Sequence, residues 1–164
     1  MAASFNRGVA SLSVGVDMKY IFLTEQFYID YAHCAEIEKK KERPYVQVYL
    51  NLNGVDFAVP MRSNITHKYA FWTDRANRRG LDFSKAVVIT DKSYIDTTGS
   101  PYIRPNEHKA LLGKEHLVVQ RLIRYIKNYK IAKTKLYVDE KKRLVHYSTL
   151  QYFEEYIFDA ILDS

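Results

Sequence analysis

The sequence predicts an α+β protein built on an antiparallel sheet. The readable elements run strand, helix, several strands, then helices, and segregation of this kind favours α+β over a parallel α/β sheet. The segment PYVQVYLNLNGVDFAVPM alternates apolar and polar residues on both sides of Asn53-Gly54, the pattern of a β-hairpin with a type I′ turn. Further on, Val118, Leu122, Tyr125 and Tyr129 recur at helical spacing and give one long helix a buried side.

Residues 19–23, KYIFL, read as the first strand. Thr24 is placed to cap a helix with Glu25 and Gln26 in its first turn. Phe27, Tyr31 and Cys34 recur at helical spacing, so that helix is expected to reach residue 37. EKKKER, residues 38–43, forms a charged linker. In the hairpin, Val46, Val48, Leu50 and Leu52 alternate with Tyr45, Gln47, Tyr49 and Asn51, and Val55, Phe57, Val59 and Met61 alternate on the return strand. Ile65, His67, Tyr69 and Phe71 share a parity that fits another strand over 65–72. DRANRRGLDFS, residues 74–84, is expected to be a polar, basic loop. Residues 85–90 hold a short buried strand, and 91–105 are irregular, with Gly99-Ser100-Pro101 as a breaker. Pro105-Asn106-Glu107 opens a helical region that Gly113 divides into a short piece and a long helix over 114–130. Its other side carries Gln120, Arg121, Arg124, Lys127 and Asn128, either a solvated face or one turned to RNA. A turn and a hairpin through 139–143 are expected next. Ser148 to Gln151, STLQ, is a capping box for a last helix with Leu150, Phe153, Ile157 and Ile161 as its core stripe.

A chain of 164 residues fits one domain with a sizeable core, and 47% hydrophobic residues exclude a disordered protein. No apolar run approaches the roughly 18 residues of a membrane helix. The single cysteine, Cys34, excludes an internal disulfide framework and a Cys-rich zinc site and fits a reducing cytoplasm; it reads as a buried helical thiol. The net charge of +6 favours a polyanionic partner, nucleic acid before an anionic membrane. Aromatics among basic groups suit base stacking, although most of them should be core. Residues 1–17 lack the apolar core of a signal peptide. They are either an extension ordered by the domain or an upstream start ahead of a beginning at Met18, with 18–164 as the single domain.

None of the five histidines falls in a metal-binding spacing, and there is no paired-carboxylate signal, phosphate loop, dinucleotide fingerprint or nucleophile elbow. A nucleotidase, a two-metal nuclease and an α/β-hydrolase are therefore disfavoured, and neither metal nor cofactor is expected. What remains is VPMRSNITHKYAFW, residues 59–72. RNA carries its own nucleophile, the 2′-OH. Cleaving it takes a base, an acid, and cations or donors for the crowded phosphorane. His67 suits proton transfer, Lys68 and Arg62 can offset negative charge, and Ser63 and Thr66 can donate hydrogen bonds to phosphate oxygens. A histidine on the apolar parity of a strand is more often a satisfied core residue than a catalyst, so both readings stay open. Arg43 precedes the hairpin strand whose partner ends at Met61, which puts Arg43 and Arg62 at the same end of the sheet.

MKYIFLTEQFYIDY, RPYVQVYLNLNGVDFAVPMRSNITHKYAF, GLDFSKAVVI and the C-terminal YSTLQYFEEYI together resemble the ToxN/AbiQ superfamily of type III toxin–antitoxin endoribonucleases, in its TenpN-like branch. The resemblance covers most of the chain after Met18. It implies a strongly twisted antiparallel sheet core with flanking helices, similar to Kid/MazF-type toxins. It also implies metal-independent, sequence-specific cleavage of single-stranded RNA, leaving a 2′,3′-cyclic phosphate and a 5′-OH. The implied partners are cellular or phage mRNA as substrate and an antitoxin RNA of repeated pseudoknots. The toxin processes that RNA and is inhibited by it in a cyclic protein–RNA assembly. The implied setting is phage defence in the bacterial cytoplasm, with no membrane partner. Ser63 matches a serine needed for activity. Arg62 stands where that branch has threonine. Arg43 stands where an active-site lysine is found, and arginine keeps the charge but hardly acts as a proton donor. His67 and Lys68 belong to the HKYAF pattern.

The expected roles are His67 as general base or acid, Lys68 and Arg62 as phosphorane stabilisers, and Ser63 as positioning donor. Arg43, Thr66 and Tyr45 are expected to contact RNA, with Arg75, Arg78, Arg79, Arg121, Arg124 and Lys127 as further contacts. A lysine as the acid, with no histidine involved, is the alternative. A non-catalytic RNA- or DNA-binding module would use the same basic and aromatic surface, and a defence protein that has lost its chemistry would read the same way.

Overall fold

The computed structural model describes residues 18–38 and 44–158. The extension over 1–17, most of the charged linker with Arg43, and Ile161 lie outside the described residues. Among the described residues the chain is α+β, with seven strands in one antiparallel sheet and five α-helices beside it.

β1 (Lys19–Leu23) leads into α1 (Glu25–Asp30), whose first turn is capped by Thr24 accepting from the Phe27 N–H. The helix expected to reach residue 37 is much shorter. After Asp30 the chain proceeds by tight turns, from Tyr31 O to the Cys34 N–H and from Cys34 O to the Ile37 N–H. These turns bury Cys34 and Ile37 just as a helix would, so the apolar spacing is met by a different backbone. Cys34 is a buried thiol outside any disulfide and lies between turns, not on a helix.

β2 (Gln47–Leu52) and β3 (Val55–Arg62) form the expected hairpin, and Asn53 and Gly54 take φ of 50° and 84° as a type I′ turn requires. β3 lies at the centre, pairing with β2 on one side and with β5 and β6 on the other. It is accordingly buried on both faces, with Ala58 as inaccessible as Phe57 and Val59.

Two stretches depart from the sequence expectation next. The strand expected over 65–72 starts only at β4 (Ala70–Asp74). Asn64, with φ 58°, breaks the extended run, and 63–69 is a loop pinned by buried Ile65, which gives its N–H to Arg78 O at 3.1 Å. DRANRRGLDFS is not loop throughout: Asp74 caps a turn at Arg75–Asn77, Arg78 takes a left-handed φ of 54°, and β5 (Arg79–Asp82) then runs between β4 and β3. Only glycine fits at position 80, because a Cβ there would lie 2.3 Å from Phe71 O on β4. β6 (Val87–Val88) is the expected buried strand, and β7 (Ile95–Asp96) pairs with β1 within the irregular stretch. The sheet order is β4-β5-β3-β2-β1-β7, with β6 on β3.

Gly113, with φ 74°, separates α2 (Pro105–Leu111) from α3 (Glu115–Lys133). α3 buries Val118, Leu122, Tyr125 and Tyr129 as the spacing predicts. α4 (Asp139–Tyr147) replaces the expected hairpin; it buries none of its residues fully, so no apolar stripe announced it. Ser148 caps a 3-10 turn, Thr149–Tyr152, and Gln151 Nε2 donates to Ser148 O and His146 O, so the reciprocal capping box does not form. The short α5 (Glu154–Ile157) completes a C-terminal segment whose Leu150, Phe153 and Ile157 join one continuous core with Phe27, Leu50, Phe57 and Leu122. Among the described residues no helix is long and apolar enough to cross a membrane.

Candidate active site: two clefts divided by Arg62

Asp82, the last residue of β5, has no exposed surface (0%). Its Oδ1 accepts from the Ser84 N–H at 3.0 Å and the Ser84 hydroxyl at 2.6 Å, an Asx turn that starts the 3-10 turn Phe83–Lys85. Its Oδ2 accepts from Arg62 at the end of β3, and the same guanidinium donates to Glu38 at 2.8 Å. Burial on its own would raise the Asp82 pKa. Hydrogen bonds from His67 and Ser84, with the charge of Arg62, outweigh it and hold the carboxyl below its usual range. Burial likewise opposes the Arg62 cation, and Asp82 and Glu38 more than offset that. The Arg62 Nε–H is buried and meets no acceptor.

His67 belongs to this knot. Its Nδ1 accepts from the Tyr69 N–H at 3.0 Å, and its Nε2 lies 3.1 Å from both Asp82 Oδ1 and Ser84 Oγ. These partners assign the tautomer with hydrogen on Nε2. The ring then has no free lone pair with which to take a proton from a 2′-hydroxyl. Through these contacts the ring joins the 63–69 loop to β5.

Arg62 lines two clefts. The Ser63 cleft, about 440 Å³, has Ser63, Tyr45, Met61, Tyr102, Arg104 and Glu107 among its walls. The His67 cleft, about 600 Å³, includes Thr66, His67, Lys68, Tyr69, Arg143 and Tyr147. Four residues that the sequence groups into one site therefore divide: Ser63 opens on one side, His67 and Lys68 on the other, and Arg62 is the wall. Ser63 is exposed and its hydroxyl has no protein partner among the described residues. Lys68 reaches Glu140 on α4 at 3.0 Å, closing across one edge of the His67 cleft. Tyr45 donates to Glu38 at 3.3 Å, and burial, then the Glu38 charge, raises its phenol.

Arg75, Arg78, Arg79, Arg121, Arg124 and Lys127, the further expected RNA contacts, line neither cleft. Arg75 lies over the Trp72 ring and Arg121 over Phe71. Arg79 pairs with Asp74 at 3.5 Å, Arg78 sits in the β4–β5 turn, and Arg124 and Lys127 are exposed on α3. Arg43 lies outside the described residues. Sequence reasoning passed over Asp82 and Ser84, although Asp-Phe-Ser before a buried strand is an Asx-turn pattern that could have marked them. It also passed over Tyr102, Arg104 and Glu107, which sit in or just after the stretch read as irregular. Among the described residues no cluster of His, Cys, Asp or Glu could hold a metal. No family model, curated protein or solved structure matches the chain.

Proposed function

We propose that the protein is a metal-independent endoribonuclease that cuts single-stranded RNA in the Ser63 cleft. The single observation that carries this is the setting of Ser63. Its hydroxyl, which has no protein partner among the described residues, follows directly on β3, a strand paired on both sides, beside a guanidinium held by two carboxylates. Such a donor is carried at the end of an anchored strand without being consumed by the protein, which is what stabilising a transition state needs. In the reaction the 2′-oxygen attacks phosphorus and the P–O5′ bond breaks. The 2′-OH gives up a proton and O5′ gains one, leaving a 2′,3′-cyclic phosphate and a 5′-OH. Ser63 Oγ–H would donate to a non-bridging oxygen, with the Arg62 charge behind it and the Tyr45 hydroxyl in the same cleft. Arg43 immediately precedes Pro44 of the cleft wall in the chain, and it would supply the cation that the resembled family draws from lysine. His67 would hold the loop that carries Ser63.

The resemblance of several sequence stretches to ToxN/AbiQ toxins extends the proposal to the toxin of a type III system in the bacterial cytoplasm. A repeated pseudoknot antitoxin RNA would occupy the cleft in a cyclic assembly. The test is purified protein with single-stranded RNA in EDTA. Cut RNA with cyclic-phosphate ends is expected, and Ser63→Ala should lose about 100-fold in rate or more with an unchanged melting temperature. Uncut RNA, or 3′-hydroxyl ends, overturns the proposal. One observation favours a non-catalytic RNA- or DNA-binding module instead: every carboxylate and imidazole lining either cleft already has a protein partner. Binding with strong salt dependence and no cutting would mark that module.

A further inference from the structure

Arg104 reaches the Ser63 cleft from the segment ahead of α2. Its NH1 donates to Glu107 Oε1 at 2.9 Å. The two partners differ sharply in exposure, 53% for the arginine side chain and 3% for the glutamate. Glu107 is itself anchored, because its Oε2 accepts from the buried Thr73 hydroxyl on β4 at 2.5 Å. A chain of contacts thus runs from the sheet through a buried carboxylate to a guanidinium whose remaining donors have no protein partner among the described residues. A planar fork held this way is prepared for an oxyanion with little ordering left to do. Two residues before it, Tyr102 lines the same cleft with 75% of its surface exposed.

We infer that the Ser63 cleft is a subsite for one nucleotide of single-stranded RNA, with Arg104 on its phosphate, Tyr102 stacked on its base and Glu107 positioning Arg104. This rests on the endoribonuclease reading of the cleft and deepens it. A fork-shaped cation, a free hydroxyl at Ser63 and an exposed aromatic face are the complementary groups for phosphate and base. The net charge of +6 favours a polyanion over an isolated acid. A cleft of about 440 Å³ is in the range of a small-ligand site and too small for a duplex.

The experiment measures binding of the full chain to a 2′-O-methyl oligonucleotide, which cannot be cleaved, across a range of salt concentrations. Cleavage of the unmodified RNA and melting temperature are measured alongside. Tyr102→Ala and Arg104→Ala should each weaken binding roughly 10-fold. Tyr102→Ala should leave melting unchanged, since its ring is exposed, whereas Arg104→Ala also strips buried Glu107 of its ion pair and lowers melting, so its binding is read beside that of Arg104→Lys. Arg104→Ala should also lower the slope of log K against log salt by about 1, and Arg104→Lys should restore the slope but only part of the affinity. Glu107→Gln should weaken binding while leaving the slope intact, because the arginine charge remains; a change in melting alone would remove its positioning role. If Tyr102→Ala and Arg104→Ala both bind and cut like wild type, the subsite is overturned while the endoribonuclease reading stands. If wild type neither binds nor cuts RNA, both fall together. Adenosine monophosphate is the competing probe: if it binds as tightly as the oligonucleotide, the occupant is a free nucleotide and the RNA subsite is wrong.

Discussion

The two clefts share Arg62 and hold similar ingredients, each with hydroxyl groups, tyrosines, a basic side chain and a carboxylate. In the His67 cleft the imidazole, the lysines and the carboxylates are turned on one another, while Thr66, Arg143 and the Tyr147 hydroxyl make no side-chain hydrogen bond or ion pair among the described residues. His67 is held by Tyr69, Asp82 and Ser84, Lys85 donates to Glu36 and to Tyr147 O, and Lys68 meets Glu140. In the Ser63 cleft the Ser63 hydroxyl, the Tyr102 ring and most of the Arg104 fork are left open. A buried polar group must find partners or destabilise the fold, so the knot of His67, Asp82 and Ser84 reads as architecture. The Arg104 fork is held by Glu107 and keeps donors the fold does not use, so the Ser63 side is where a ligand gains most.

Asp82 gives this contrast its hardest test. Asp82→Asn leaves the half-buried Arg62 with Glu38 alone, and breaking a buried pair of this kind typically costs about 3 kcal/mol. The melting temperature should fall by roughly 6–12 °C for a chain of this size. A variant that melts like wild type would mean the knot does not organise the loop. The pH dependence sharpens the point. Asp82's folded pKa lies below the ordinary value of 3.8. Its contribution is therefore complete above that value and is lost as pH falls through the lowered one. Melts below about pH 4 should show a steeper acid-dependent loss in wild type than in Asp82→Asn, which keeps only the share of the other lowered carboxylates.

His67 comes second, and it separates the two clefts directly. His67→Ala strips a hydrogen bond from the Tyr69 N–H and one from Asp82, a loss of about 2 kcal/mol. Cleavage per folded molecule should stay within about 3-fold of wild type, the reverse of the pattern expected for Ser63→Ala. Unchanged melting with cleavage abolished would make His67 a catalyst and collapse the distinction.

The unequal legibility of the two sides has physical causes. The hairpin could be read because Asn53-Gly54 and strict alternation both act locally. The long helix could be read because Val118, Leu122, Tyr125 and Tyr129 all face one core. β5 could not. Its residues are Arg79, Gly80, Leu81 and Asp82, and a strand with a buried aspartate and a glycine pressed against Phe71 O reads as loop until its partners are seen. The parity of Ile65, His67, Tyr69 and Phe71 imitated a strand, while the left-handed Asn64 bends the chain away beforehand. His67 therefore looked like part of one site with Ser63, although the loop turns the two toward different clefts. Arg104 and Tyr102 carry no pattern at all, since their significance comes from Glu107 and Thr73, brought together by the packing of α2 against β4.

The smallest expected effect belongs to Lys68, the residue whose sequence neighbourhood promised most. Its ammonium and the Glu140 carboxylate are both well exposed, 74% and 63%, so water and salt screen the pair. The Glu140 hydrogen bond, then the charges of Tyr69 and Glu140, raise the Lys68 pKa above 10.5. Any stability gained that way is already complete below the unfolded value and is lost only as pH rises through the folded one, far from neutrality. Lys68→Gln should therefore leave the melting temperature at pH 7 within about 1 °C and cleavage within about twofold of wild type. A large fall in cleavage with the fold intact would place the reacting phosphate on the His67 side of Arg62, and the assignment of the two clefts would have to be exchanged.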